Sequence, residues 1–284
     1  IAGIINFHKK NNNFILNEML DSINFRGPDF KISTKGEFYS VGMVRLSIMD
    51  LSDNGRQPFK SNDNNILVFY NGEIYNSKGL KKKYFSKYRF SSSCDGEIIP
   101  LMYQKFGEKF VNHLKGMFSI SIIDKKNNKI LLIRDRFGIK PLYYHFNSHL
   151  SELTFCSEIH PLFKNKLIQK SENFSETNRY LSLGLVNSTN ETWFKNIYQV
   201  EPGQILTFKK DKLSFYHYYK LSNYVDEDND NKKNNYFKFE KDIHESISES
   251  FKQHSISDQN IGIHISGGND SALLATGCKK NNIY

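Results

Sequence analysis

The chain has 284 residues, of which 38% are hydrophobic and 14% aromatic, so it is long enough for two domains and can bury a substantial core. Its mean hydropathy is −0.56, and no apolar run approaches the roughly 18 residues that a membrane span needs, which excludes an integral membrane protein. The formal net charge is +9, but the lysines form scattered short runs without interleaved aromatic residues, so we interpret them as solvated surface and expect no nucleic acid partner.

The first two hundred residues show many short strand patterns and a few helices. An apolar strand over 1–7 precedes an amphipathic helix over 14–23. Further strands are predicted at 38–47, 66–70, 117–123, 129–133, 142–145, 153–156, 204–208 and 213–216, with a hairpin turn at 125–128. Further helices are predicted at 80–88 and 96–106. Because strands and helices do not alternate as βαβ units, the pattern favours an α+β fold of stacked antiparallel sheets flanked by helices.

The composition changes towards the end of the chain. Residues 224–235 are almost all polar and turn-forming, which is typical of a linker. A long amphipathic helix over 236–253 follows, and then an apolar strand over 261–265, a glycine-containing turn and a helix that runs to residue 280. This is the first half of a βα unit. We therefore expect one domain over 1–210, a linker over 211–236 and the truncated start of a second domain over 237–284.

The turn from Ser266 to Ser271 is the first candidate for chemistry. Its two glycines let the backbone approach a ligand closely, and the following helix offers unpaired N–H groups. The sequence lacks the lysine of a P-loop, so it is either another kind of phosphate cradle or an ordinary strand-to-helix turn. In a phosphate cradle, Asp270 could hold Mg²⁺.

Three stretches of the first domain carry polar residues at unusual places. Asn71-Gly72 is typical of a tight turn, yet an amide beside a glycine N–H is also what an oxyanion hole requires. Arg45 lies in an apolar strand, so if buried it must pair with a structural acid or a ligand carboxylate. Asp95 is either a helix N-cap or a group that binds an ammonium ion. Together they would recognise both ends of an α-amino acid and polarise its side-chain carbonyl.

A series of motifs connects these stretches in one order along the chain. The motifs are IAGI (1–4), RGPD (26–29), RLSIMD (45–50), QP (57–58), NGEIYN (71–76), CDGE (94–97), GMFS (116–119), RDRFGIKPLYY (134–144), SE (157–158), PG (202–203) and SGGNDS (266–271). Over essentially its whole length, the chain resembles the glutamine-hydrolysing asparagine synthetase family. Amidotransferases that make glucosamine phosphate or phosphoribosylamine share the early motifs, but no SGGxDS loop follows in them at this distance.

The resemblance implies a class II glutamine amidotransferase domain with the N-terminal-nucleophile fold, a four-layer αββα sandwich of antiparallel sheets. The first βα unit of an α/β ATP-pyrophosphatase domain would follow. In that family an N-terminal cysteine attacks the glutamine amide with its own α-amine as base, and the two groups, with pKa values of about 8.5 and about 7.8, are well matched. The ammonia then converts aspartate, activated by ATP as an adenylate, to asparagine. ATP and Mg²⁺ are the implied cofactors.

Motif positions carry the family's roles over to this chain. Arg45 would hold the glutamine carboxylate, Asp95 its ammonium group, and Asn71 and Gly72 would form the oxyanion hole. Leu46, Ile48 and Glu73 would line the same pocket. The resemblance also implies an ATP site formed by His264, Ser266, Gly267, Gly268, Asp270 and Ser271.

The amino end departs from the family pattern. The family begins Cys-Gly-Ile, whereas this chain begins Ile1-Ala2-Gly3. None of the three cysteines can substitute, since Cys94 and Cys156 lack a free α-amine and Cys278 lies in the other domain. We therefore expect a fragment that lacks both its nucleophile and most of the synthetase domain, and that neither hydrolyses glutamine nor makes asparagine. A natural variant that has lost its nucleophile is the alternative.

Two further functions stay open. The acceptor could differ from aspartate, as in a β-lactam-type or sugar-modifying relative, or the domain could sense glutamine without catalysis. The expected partners are the small molecules glutamine, ATP and aspartate. No membrane partner is expected, and a homodimer is one option. The odd cysteine count and the lack of a secretory signal pattern favour the cytoplasm. The histidines show no metal-ligand spacing.

Overall fold

Two antiparallel sheets carry most of the structure. The computed structural model describes residues 1–8, 13–186, 189–224 and 236–280, with the backbone alone at 236 and 237. In chain order the strands are β1 (Ala2–Asn6), β2 (Phe30–Lys35), β3 (Tyr39–Arg45), β4 (Phe59–Lys60), β5 (Ile66–Ile74), β6 (Gly116–Asp124), β7 (Lys129–Arg134), β8 (Tyr143–Asn147), β9 (Glu152–Cys156), β10 (Tyr198–Gln199), β11 (Gln204–Lys209) and β12 (Lys212–His217). The helices are α1 (Asn13–Ser22), α2 (Ser77–Tyr84), α3 (Ile99–Phe106), α4 (Phe174–Leu183), α5 (Tyr236–His254) and α6 (Asn269–Lys280).

The first sheet has the strand order β10-β8-β9-β1-β3-β2, and the second has the order β12-β11-β7-β6-β5-β4. Strand β1 lies inside the first sheet, where Gly3 is opposite Val41 on one side and Phe155 on the other. A Cβ at Gly3 would come within 2.4 Å of the Phe155 ring, so the close packing there requires glycine. The antiparallel pairing confirms the sheet type that the strand pattern predicts.

Three apolar cores separate the layers. One core lies between the two sheets, a second joins the second sheet to α2 and α3, and a third joins the first sheet to α1. Strand β7 shows how one strand serves two cores: Ile130 and Leu132 belong to the core between the sheets, whereas Leu131 and Ile133 belong to the core beneath α3. Successive side chains point to opposite faces of a strand, and here both faces are covered. This arrangement confirms the expected αββα sandwich.

The structure differs from the sequence predictions near the end of the chain. Strand β12 pairs with β11 from Lys212 to His217, so the predicted domain end at residue 210 falls inside a hairpin. Helices α5 and α6 form as predicted, but residues 261–265 are not a strand. A strand needs a neighbour for its backbone hydrogen bonds, and none of the described residues provides one there. The expected βα unit is therefore present only as its helix.

Residues 225–235 of the predicted linker lie outside the described residues. In the ranges that the structure describes, no helix is both long enough and apolar enough to cross a membrane.

Candidate functional site

A cleft of about 260 Å³ lies where the end of β3, in the first sheet, faces the end of β5, in the second sheet. It brings together residues from three separate stretches of the sequence. The predicted residues that line it are Arg45, Leu46, Ile48, Asn71, Gly72, Glu73 and Asp95. Stretches that are far apart in the sequence therefore contribute side chains to one cleft.

Arg45 is the last residue of β3, and only 8% of it is exposed. Its Nη2 donates to the carbonyl oxygens of Met49, at 2.9 Å, and Asp50, at 2.6 Å. Among the described residues, no aspartate or glutamate side chain pairs with Arg45. The first of the two partners predicted for a buried Arg45, an acidic residue of the chain itself, is therefore not found in these ranges. A buried guanidinium is stable only when its charge is compensated, and the cleft beside it can admit the carboxylate of a ligand.

Asp95 is buried at the opposite wall of the cleft. Its Oδ2 accepts hydrogen bonds from the Tyr70 hydroxyl, at 2.7 Å, and from the backbone N–H of Ile74, and its Oδ1 accepts from Gly96 N–H at 2.9 Å. The helix-cap interpretation of Asp95 is wrong, because Asp95 begins a 3-10 turn and its side chain bonds mainly to β5 rather than across the first turn of α3. The carboxyl group instead lies between β5 and the cleft.

Asn71 and Gly72 do not form a turn. Strand β5 continues through them to Ile74, and Gly72 pairs with Phe118 of β6. A Cβ on Gly72 would lie 2.0 Å from the carbonyl oxygen of Met117, so only glycine permits this approach. The tight-turn interpretation is therefore wrong. The Asn71 side-chain amide is half-buried and, among the described residues, makes no hydrogen bond, which leaves it available to a ligand in the cleft.

Glu73 lies beside these groups with its carboxyl half-buried. Burial raises its pKa, and the charge of Asp95 raises it further, whereas the charge of Lys140 lowers it. Lys140 also lines the cleft, although sequence reasoning did not select it. Asp135, which is fully buried, accepts hydrogen bonds from the backbone N–H groups of Phe137, Ile139 and Lys140 and so shapes the turn that presents Lys140. The RDRFGIK motif over residues 134–140 was the sequence signal that could have identified Lys140.

Sequence reasoning also missed several other lining residues. They are Arg26, Met43, Val44, Met49, Gln57, Tyr70 and Cys94. Gln57, from the QP motif, donates to the carbonyl oxygen of Tyr70 at 2.8 Å and accepts from its N–H at 2.7 Å, which holds β5 in place. Arg26, Met49, Gln57 and Cys94 lie within the quoted motifs, but a motif does not say which of its side chains face a cavity. Met43, Val44 and Tyr70 precede the motifs on their strands.

The leading end of β1 lies next to the cleft. The amino group of Ile1 donates to Ser157 Oγ at 3.1 Å, and Arg26 forms an ion pair with Glu158. Because Arg26 also lines the cleft, a group attached before Ile1 would be close to it.

Neither of the two buried cysteines has the surroundings of a nucleophile. Cys94 lines the cleft, but burial raises the pKa of its thiol to about 12, and burial also raises the pKa of Cys156. Both therefore stay protonated at neutral pH, which is unfavourable for attack on an amide. Cys278 lies on α6, away from the residues that line the cleft. This agrees with the expectation that none of them replaces an N-terminal cysteine.

The predicted phosphate loop lies outside this cleft, at the start of α6. Gly267 has a φ of 84°, which favours glycine, and a Cβ there would meet no atom within 4 Å. Ser271 Oγ donates to the carbonyl oxygen of Gly268 at 2.9 Å and lies 3.2 Å from Ser266 Oγ. This open turn before a helix fits a phosphate group. His264 and Asp270 are exposed, and the described residues contain no group of three metal-ligating side chains, so Asp270 is a single candidate ligand for Mg²⁺.

Comparison with known sequences finds a matching family model and several similar proteins. Residues 1–219 match the model of a glutamine amidotransferase domain. Over 97% of its length the chain is 36% identical to asparagine synthetase (glutamine-hydrolyzing) 2 of Bacillus subtilis strain 168, and it covers 38% of that protein. It is 33% identical, over 96% of its length, to a putative asparagine synthetase (glutamine-hydrolyzing) 2 of Methanocaldococcus jannaschii, of which it covers 55%. Amidase chry2 of Gibberella zeae is 31% identical over 92% of the chain, which covers 38% of that protein.

The chain thus spans between 38% and 55% of the length of these relatives. Among solved structures, the glutamine phosphoribosylpyrophosphate amidotransferase of B. subtilis, complexed with ADP and GMP, is similar over 76% of this chain and 48% of its own, with a TM-score of 0.52 and 18% sequence identity. At that identity the likeness shows the fold, and it agrees with the sandwich of two antiparallel sheets.

Proposed function

The chain belongs to the glutamine amidotransferase domain family, and from this premise we propose that its cleft binds glutamine and positions the side-chain amide for hydrolysis. The observation that carries the proposal is Arg45, a buried guanidinium that lines the cleft without a carboxylate partner among the described residues. A free amino acid supplies the missing carboxylate, and its ammonium group finds the Asp95 carboxyl in the same cleft.

The other residues of the cleft have complementary roles in this proposal. The Asn71 side-chain amide and the Gly72 N–H would donate to the oxygen of the glutamine amide, where negative charge develops during attack. Leu46, Ile48 and Glu73 would form the walls that set the length of the side chain.

The nucleophile of this reaction would be a cysteine placed two residues before Ile1. Its thiol proton passes to its own α-amine, the sulfur bonds to the amide carbon, and the carbon–nitrogen bond breaks as that proton moves to the departing ammonia. Water then cleaves the thioester, which releases glutamate and restores the thiol. The Ile1 nitrogen lies 3.1 Å from Ser157 Oγ, and the next residue, Glu158, pairs with the cleft-lining Arg26, which supports this placement.

The test is to extend the chain by Cys-Gly before Ile1 and, as a matched control, by Ala-Gly. We expect glutamate and ammonia to be released from glutamine only by the Cys-Gly form under reducing conditions. The two forms should bind glutamine with similar affinity, since the side chains of the cleft are the same. A folded Cys-Gly form that binds glutamine but does not hydrolyse it would overturn the hydrolytic role.

A non-catalytic glutamine sensor makes the opposite prediction for the same pair. Glutamine would then raise the melting temperature of both forms without product release from either. This alternative shares the cleft and differs only in the chemistry, so the paired extensions separate the two functions directly.

We extend the proposal to ATP-dependent synthesis of asparagine from aspartate, with the chain as the first part of that enzyme. The relatives named asparagine synthetases and the open loop at Gly267 support it. Bound ATP would supply the activation of the acceptor carboxylate. In this chain Ser266, Gly268 and Ser271 would hold its phosphates, His264 would lie near the nucleotide, and Asp270 would bind Mg²⁺.

The acceptor and the division of the chain are further parts of this proposal. One relative is named an amidase, so acceptors other than aspartate, including β-lactam-type and sugar acceptors, stay as alternatives. A screen of acceptors that follows pyrophosphate release distinguishes them. We place the end of the amidotransferase domain after His217, where the second sheet ends. The three free cysteines support a reducing cytoplasm as the compartment.

A further inference from the structure

The segment that follows α5 returns to the cleft-lining loop over residues 45–50. Asp258 makes two hydrogen bonds there: its Oδ2 accepts from the backbone N–H of Asp50 at 2.7 Å, and its own N–H donates to the carbonyl oxygen of Ile48 at 3.2 Å. Asp258 lies more than two hundred residues from this loop in sequence. A contact of two bonds in opposite directions fixes both the position and the orientation of the loop.

Asp50 is the residue through which this contact reaches the cleft. Its carbonyl oxygen accepts from Arg45 Nη2 at 2.6 Å, and its carboxylate accepts from the N–H of Ser93 at 2.8 Å, two residues before Asp95. Its φ of 53° lies in the left-handed region, so its backbone conformation depends on the groups that hold it. Asp50 therefore connects the loops that carry the guanidinium and the carboxyl group of the site.

Two neighbours extend the same contact. The His254 ring lies against Tyr75, with centroids 4.6 Å apart. Ile256 lines a small cavity behind the cleft together with Glu73 and Tyr75. The segment 254–258 thus touches the ends of both stretches, 45–50 and 71–76, that form the site.

We propose that Asp258 is a positioning residue for glutamine binding, because it holds Asp50 in the conformation that places Arg45 opposite Asp95. This inference rests on the proposed glutamine cleft. By linkage, if the docking of segment 254–258 raises the affinity for glutamine, glutamine must stabilise that docking by the same factor. The consequence is that the region carrying the Ser266 loop responds to occupancy of the cleft.

The test compares three variants of the full chain with the wild type. Asp258→Ala removes the acceptor for the Asp50 N–H, and Asp258→Asn retains an oxygen at the same place. Asp242→Ala is the matched control, because Asp242 is an exposed aspartate of α5 whose carboxylate makes no hydrogen bond within the described ranges. Two readouts are used: the Kd of L-glutamine by titration calorimetry, and amide hydrogen exchange of the peptide over residues 43–51.

We expect Asp258→Ala to raise the Kd of glutamine about fivefold, the size typical of the loss of one intramolecular hydrogen bond, and to speed exchange at 43–51. Asp258→Asn should recover most of both effects, and Asp242→Ala should change neither. Glutamine should slow exchange at 254–258 in the wild type.

Equal glutamine affinity in the wild type and in Asp258→Ala would overturn the role of Asp258 while the glutamine cleft stands. Failure of Asp258→Asn to recover affinity would also overturn it, because the role assigned is that of a hydrogen-bond acceptor. A wild-type chain that does not bind glutamine would overturn the proposed function together with this inference, so the two failures are distinguishable.

Discussion

The amidotransferase region (residues 1–217) and the terminal helix pair (α5 and α6) differ in how their apolar side chains are covered. In the first region, strand side chains such as Phe69 and Phe155 are completely buried between the sheets. In the helix pair, Phe239 is 63% exposed and Leu273 is 51% exposed. The first region therefore forms its cleft from its own packed cores. The helix pair leaves large apolar side chains exposed, and Asp258, in the segment between α5 and α6, contacts the cleft loop.

The largest expected effect is on stability and tests this difference with the same residue type. Phe69→Ala should lower the free energy of unfolding by about 3–5 kcal/mol, because it leaves a cavity between the sheets. Phe239→Ala should change it by less than about 0.5 kcal/mol, because that ring is exposed. Urea denaturation of the two variants measures both values. A large loss for Phe239→Ala would show that the helix pair is packed as tightly as the sandwich.

The next largest effect concerns glutamine affinity, which should depend on the first region and not on the helix pair. Arg45→Ala should weaken glutamine binding about 100-fold, since removing one partner of a buried charge pair costs several kcal/mol. Asp270→Ala, in the helix pair, should leave glutamine binding unchanged. Titration calorimetry with L-glutamine gives both results.

Arg56→Ala is the matched arginine control for that experiment. Arg56 is exposed and pairs with Asp53, so its loss should alter glutamine affinity by no more than about twofold. Equal effects at positions 45 and 56 would contradict the assignment of the carboxylate to Arg45.

The smallest expected effect is a pH dependence at Glu73. Its pKa is raised in the folded chain by burial and by Asp95, so ionisation is less favourable in the folded state than in the unfolded state. Stability is then lost as the pH rises through the unfolded and folded pKa values. Glu73→Gln should raise the melting temperature near pH 7, and the gain should vanish well below the unfolded pKa of about 4.3, where the wild-type residue is protonated in both states.

Glu245→Gln provides the control in the helix pair. The Glu245 carboxylate is exposed and lies 3.7 Å from Lys241, so neutralising it should produce no comparable gain at neutral pH. Melting temperatures measured at matched pH values for the two variants complete this test. A gain of equal size at both positions would indicate an effect of net charge rather than of burial.

Local patterns predicted most elements of the sandwich because their periodicity is set by the backbone. The strand at 129–133 and the turn at 125–128 form as expected, and α1 buries Leu16, Met19 and Leu20 along one stripe. Strand β2 was missed because it is a half-exposed edge strand with a mixed pattern, and β4 has only two residues. Helix α4 was missed as well, and Glu176 is its buried residue.

Predictions failed where a distant partner decides the conformation. Asn71-Gly72 looks like a turn locally, but its pairing with β6 keeps it extended. Asp95 looks like a helix cap, but the Tyr70 hydroxyl and the Ile74 N–H bind its carboxyl group. Residues 261–265 look like a strand, yet no neighbour among the described residues pairs with them.

The order of the motifs and the residue types they contain determine, from sequence alone, the family and the complementary charges suited to an amino acid. Only the tertiary structure decides that Arg45, at the end of a strand in one sheet, faces Asn71 in the other sheet, and that Lys140 and Arg26 join them. The reason is that side-chain periodicity acts over a few residues. A cleft between two sheets depends instead on strand register and layer packing, which arise from hydrogen bonds and apolar contacts between residues far apart in the chain.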